Sequence, residues 1–96
     1  MNYESIDPVL SRWAVSRSVP LLTQYKDEEV RAFEIIGKKS KRQFQIWIDL
    51  PDAHGRTMVH AWDRKKWRID YETTAFALTE ALDTLLKEIE CHDQGR

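Results

Sequence analysis

The chain has 96 residues, 42% apolar and 32% charged, with a formal net charge of −1. That length allows one modest core but not two, and that balance excludes a disordered chain. No apolar run approaches the ~20 residues that cross a bilayer, the start "MNYESIDPVL" lacks a basic-then-apolar leader pattern, and the lone Cys91 excludes an intrachain disulfide framework or a cysteine zinc cluster.

We therefore expect a single α+β domain over residues 1–96, cytoplasmic and without membrane partners. The first element is a helix. Asp7 is placed to cap it, Pro8 suits the first helical position, and Val9, Leu10, Trp13 and Ala14 follow at the spacing of one helical face. Pro20 marks its far limit. "LLTQY" at 21–25 is an optional edge strand.

The period then changes from helical to two. "EVRAFEIIG" comes first, and "RQFQIWIDL" alternates strictly, with Phe44, Ile46, Ile48 and Leu50 on one side and Gln43, Gln45, Trp47 and Asp49 on the other. "TMVHAWD" and "KWRIDY" follow. The connections "GKKSKR", "PDAHGR" and "DRKK" are short and polar, as hairpin loops are. The last element is a helix with Thr73 or Thr74 as its cap and Leu78, Ala81, Leu82, Leu85 and Ile89 as its apolar stripe.

Opposed residues of an antiparallel pair share a face, so register can be tested against burial. Pairing Ile48 with Val59, Phe33 with Ile46 and Ala61 with Ile69 builds one apolar face. It holds Phe33, Ile35, Phe44, Ile46, Ile48, Val59, Ala61, Trp67, Ile69 and Tyr71, and both helices should pack on it. The expected fold is thus a two-layer α+β sandwich, a meander of four to five antiparallel strands flanked by an N-terminal and a C-terminal helix on one face. The other face holds Gln43, Gln45, Trp47, Asp49, Met58, His60, Trp62, Arg68 and Asp70. No helix remains to cover it.

The near-neutral charge is segregated. Residues 1–36 carry four basic and six acidic side chains, residues 37–68 nine and three, and residues 69–96 two and seven. Alternate turns of a meander fall at the same end of the sheet. Lys38, Lys39, Lys41, Arg42, Arg64, Lys65 and Lys66 should therefore cluster, opposite the "KDEE" and "PDAH" turns.

Asp49, Asp52, His54 and His60 are suitable metal-ligand types, but parity sets His60 in mid-strand and His54 at a loop tip. The row Trp47, His60, Asp70 offers a His–Asp contact without a Ser or Cys nucleophile on that face, and Trp62 beside Arg68 suggests a cation–π pair. We expect no catalytic centre, metal or cofactor. The composition of the open face (Trp47, Met58, His60, Trp62 and Arg68) suits a protein-interaction or self-associating surface. An edge strand, "LLTQY" or "WRIDY", is also open to pairing with a partner or a second copy. The alternative is nucleic-acid binding, with the seven basic turn residues on phosphates and the tryptophans as a stacking platform.

The order helix, antiparallel strands, helix is similar to that of the double-stranded RNA-binding domain. The similarity is one of element order across most of the chain. That family's Gly-Pro-x-His loop is absent, and "YETTAFALTE", which opens the second helix, has no Lys or Arg, so no residue is carried over.

Overall fold

The computed structural model describes residues 2–95. Helix α1 spans Asp7–Arg17. Strands β1 (Leu21–Tyr25), β2 (Glu28–Ile36), β3 (Gln43–Ile48), β4 (Arg56–Trp62) and β5 (Arg68–Thr74) follow, and helix α2 spans Leu78–Asp93. The five strands form one antiparallel sheet in the order β1-β2-β3-β4-β5. Every turn is thus a local connection between neighbours. Among the described residues, no helix is long and apolar enough to cross a membrane.

The registers follow the burial pattern. Phe33 pairs with Ile46 and Ile35 with Phe44. Ile46 pairs with Ala61 and Ile48 with Val59. Ala61 pairs with Ile69 and Val59 with Tyr71. Strand β3 reads as strict alternation of half-buried and buried positions. A slip of one residue would turn Phe44, Ile46 and Ile48 to solvent, which is what holds the pairing in place.

Both helices lie on the apolar face. Leu10, Trp13 and Ala14 of α1 and Leu78, Leu82, Leu85 and Ile89 of α2 are buried in one cluster with Phe33, Phe44 and Ile46. The Trp13 and Phe33 rings meet at 4.7 Å. Asp83 of α2 joins the helices, accepting from the Trp13 indole at 2.9 Å and the Arg17 guanidinium at 2.6 Å.

The helix caps differ from expectation. Asp7 is the first residue of α1, not its cap; Ile6 holds the cap position without a side-chain bond. The Asp7 carboxylate instead takes Arg31 Nε at 2.7 Å and Nη2 at 3.1 Å. Neither Thr73 nor Thr74 caps α2, because the β4 ladder keeps both in β5, opposite Thr57 and Arg56. Thr74 Oγ1 accepts from Ala77 N–H at 3.1 Å and so shapes the turn that precedes the helix. At the other end of α1, Ser18 is left-handed (φ 55), and Val19 N–H reaches Ala14 O at 3.0 Å. That six-residue closure stops the helix before Pro20.

Of the expected core face, Trp67 and Ile69 are only half-buried and Tyr71 is exposed, and Leu50, which alternates with the same side of β3, is exposed as well. Leu50 lies beyond the end of β3 and is 47% exposed. Tyr71 has the right parity but sits on the outer strand, where no further strand covers it, and is 38% exposed.

Candidate functional site

The sheet face turned away from the helices is uncovered among the described residues, and alternation places its side chains. Trp47 of β3 opposes His60 of β4, which opposes Asp70 of β5. The next row is Gln45, Trp62, Arg68. Trp47, Asp49, His60, Trp62 and Arg68 together line a shallow depression of about 300 Å³. Met58 shares the parity but opposes Glu72 one row further on, and lines a separate hollow with Asp49 and Asp52.

Side-chain hydrogen bonds hold this face together. The Trp47 and Trp62 indoles donate to the same oxygen, Gln45 Oε1, at 2.9 and 3.0 Å. The Gln45 amide nitrogen donates onward to Glu34 Oε1 at 2.9 Å, and Gln43 donates to the other oxygen of Glu34. Opposite Trp47 on β2, Ala32 is fully buried. Tyr25 stands edge-on to Trp47, with centroids 6.1 Å apart.

His60 sits between two carboxylates. Nδ1 is 2.6 Å from Asp70 Oδ1 and Nε2 is 3.0 Å from Asp49 Oδ2. Only the doubly protonated ring donates to both. Burial opposes that charge, but the hydrogen bonds to Asp70 and Asp49 outweigh it and raise the His60 pKa above its ordinary value. The bonds from His60 and Arg68 in turn lower the Asp70 pKa. The Arg68 guanidinium is drawn to Asp70 at 2.8 Å, and the expected cation–π contact with Trp62 is not made.

Of the residues considered as metal ligands, Asp49 and His60 meet at 3.0 Å, but Asp52 and His54 belong to the turn and do not join them. Asp52 accepts the backbone N–H groups of His54 and Arg56 at 2.8 and 2.9 Å, as a turn residue does. Among the described residues no group of three or more His, Cys, Asp or Glu side chains is arranged to hold a metal ion.

The basic turns do come together. Arg42 lies 3.8 Å from Asp63 across the gap between the 37–42 and 63–66 turns. Arg64 donates to Gln43 Oε1 at 2.6 Å. Lys38, Lys39, Lys41, Lys65 and Lys66 are exposed.

Three anchors that sequence reasoning missed position these surfaces. The buried Asp93, at the end of α2, accepts Lys39 N–H at 2.8 Å, Ser40 N–H at 3.2 Å and the Ser40 hydroxyl. These donors lower its pKa, the Ser40 hydroxyl most of all. Gly37 is required beside it: a Cβ there would stand 2.1 Å from Asp93 Oδ1. His92 stacks on Trp67, with centroids 4.5 Å apart and planes at 10°, and its Nε2 lies 3.6 Å from Asp63. Asp63 accepts the N–H groups of Lys65, Lys66 and Trp67 at 2.9 to 3.1 Å. Burial raises the Asp63 pKa, but those three donors win and lower it. Arg31 is the third anchor. Its guanidinium packs 4.3 Å from the centre of the buried Tyr3 ring while bound to Asp7. Its parity, shared with Phe33 and Ile35, was the signal: an Arg on the buried side needs a partner from the helix layer.

Compared with known proteins, the chain matches no family model, no curated sequence and no solved structure.

Proposed function

We propose that this chain is a small non-enzymatic binding module that docks another polypeptide on the open face of its sheet, around Trp47, His60, Trp62 and Arg68. The observation that carries the reading is the convergence of both indole N–H groups on Gln45 Oε1, at 2.9 and 3.0 Å. Two large aromatics held in place lose little side-chain freedom on binding, and Trp and Arg dominate the energetics of protein interfaces. The depression is open and about 300 Å³, which suits a partner's side chain better than an enclosed small molecule. Its lining of Trp47, Asp49, His60, Trp62 and Arg68 includes no hydroxyl or thiol nucleophile. An open surface of this kind admits water freely, which favours recognition over chemistry.

Selection of peptides from a displayed random library on the folded protein tests this reading. Enriched peptides should shift the NMR signals of the Trp47 and Trp62 indoles and of His60. Their affinity should fall roughly tenfold or more in Trp62→Ala, with the circular dichroism unchanged. Failure to enrich any peptide, or shifts confined to other surfaces, would sink it.

One specific observation favours a second reading. The 37–42 and 63–66 turns lie side by side, with Arg42 3.8 Å from Asp63 and Arg64 2.6 Å from Gln43. Their lysines would then contact phosphates, and affinity for nucleic acid should fall steeply with salt. Absence of any gel shift with mixed short RNA and DNA at low salt removes that reading. Retention of a shift after Lys38, Lys39, Lys65 and Lys66 are changed to Glu removes it too.

A further inference from the structure

We infer that the chain forms a two-fold dimer in which β5 pairs antiparallel with β5 of a second copy, centred on Ile69. This concerns the edge of the sheet, not its open face, and goes beyond the binding reading above.

The two edges of the sheet are unlike. Strand β1 is five residues long and its register with β2 shifts between Leu22 and Gln24. Such irregularity twists an edge away from further pairing. Strand β5 is seven residues long, and all seven pair with β4 in one unbroken register. Its far side has no neighbouring strand among the described residues. Asp63 N–H donates to Trp67 O at 3.2 Å across the β4–β5 hairpin. Alternation then turns the backbone groups of Arg68, Asp70 and Glu72 outward, away from β4.

The sequence of that edge is complementary to its own reverse. In Trp67-Arg68-Ile69-Asp70-Tyr71, antiparallel pairing about Ile69 sets Arg68 opposite Asp70 and Trp67 opposite Tyr71, each twice, and brings the turn that carries Lys66 to the end of the strand that carries Glu72. If both helix layers are to stay on one side, residues of like parity must oppose, so the two-fold passes through a residue. From Arg68 to Glu72, only Ile69 serves as a centre without opposing like charges. Centring on Arg68, Asp70 or Glu72 opposes that residue to itself, and centring on Tyr71 opposes Asp70 to Glu72. Like charges directly opposite destabilise a sheet, and opposite charges stabilise it.

The register also meets the backbone requirement. Ile69 bonds inward to β4, so Ile69 meets its copy as a non-hydrogen-bonded pair. Arg68 and Asp70, whose backbone groups point outward, then exchange hydrogen bonds with the second copy. Tyr71, exposed at this edge although it has core parity, gains Trp67 of the second copy as a neighbour. Arg68 already lies 2.8 Å from Asp70 of its own strand, so the dimer makes an alternating cluster of two Arg and two Asp. The two five-stranded sheets would become one continuous sheet with both open faces on the same side.

Sedimentation velocity over a concentration series up to about millimolar tests this, with circular dichroism to show that each variant is folded. The wild-type chain should pass from monomer to dimer. Arg68→Asp opposes Asp to Asp, and Asp70→Arg opposes Arg to Arg, so each alone should dimerise roughly tenfold or more weakly. An equimolar mixture of the two variants should recover the dimer as a heterodimer, because every opposed pair is again complementary. A wild-type chain that stays monomeric overturns the inference. So do single variants that dimerise like wild type, or mixtures that fail to recover the dimer. Trp62→Ala should leave the dimer unchanged, so loss of the peptide-binding reading and loss of the dimer are read separately.

Discussion

The two faces of one sheet are held by different forces. On the covered face, Phe33, Phe44, Ile46, Val59 and Ala61 are wholly buried beneath the helices, and removal of apolar surface from water holds them. On the open face, alternate residues of the same strands are half-buried and tied by polar side chains: Gln45 to both indoles, Glu34 to Gln45 and Gln43, and His60 between Asp49 and Asp70. The first arrangement specifies the fold. The second leaves aromatic surface accessible yet fixed, which is what a recognition surface requires.

Substitutions that separate these forces put the contrast to the test. Phe33→Ala should destabilise most, by about 3–5 kcal/mol, because it empties a fully buried site. Urea unfolding measures it, and a cost below about 1 kcal/mol would contradict the contrast. Gly37→Ala should follow at about 1–3 kcal/mol, because the added Cβ drives the 37–42 turn off Asp93. The amide signals of Lys39 and Ser40, which donate to Asp93, should move with it.

Gln45→Leu should cost about 1 kcal/mol, since both half-buried indoles lose their acceptor but can reach water. Its larger effect should be on the open face: peptide affinity should fall as the two rings lose their fixed positions. If affinity is unchanged, pre-organisation by Gln45 is not what the face depends on.

The smallest effect is electrostatic. Because the folded-state pKa of His60 is raised, its contribution to stability is complete below the unfolded value near 6.5 and fades as pH climbs through the folded value. Asp70 runs the other way: its pKa is lowered, so its contribution is present above the ordinary carboxylate range and lost as pH falls through the folded value. The urea midpoint of wild type should therefore decline modestly from pH 6 to pH 9 relative to His60→Gln. Parallel profiles for the two proteins would show that the clamp by Asp49 and Asp70 adds nothing to stability.

The strands and their pairing were legible because burial writes itself on a period of two. Once Ile46, Ile48, Val59 and Ala61 are required to share a face, Trp47 must oppose His60, and His60 must oppose Asp70. The site residues Trp47, His60, Trp62 and Arg68 fall together for that reason, and the basic turns for the related reason that alternate turns share an end. Met58 has the right parity but the wrong row, and parity alone carries no information about distance along a strand.

What the sequence by itself determined is which residues lie inside and which strands are neighbours, because both follow from alternation and short loops. It could not determine the partners of isolated polar groups. Asp7 satisfies the rule for a helix cap, yet Arg31 lies on the buried side of β2 and has the stronger claim on its carboxylate. Asp93 falls four residues after Ile89, on the buried stripe of α2, but that spacing says only that it lies inside and does not name its partners, nor those of His92. The roles of both residues at the 37–42 and 63–66 turns exist only because α2 ends above them. A hydrogen bond between distant residues depends on two positions and one direction in space, and only the packed tertiary structure supplies all three.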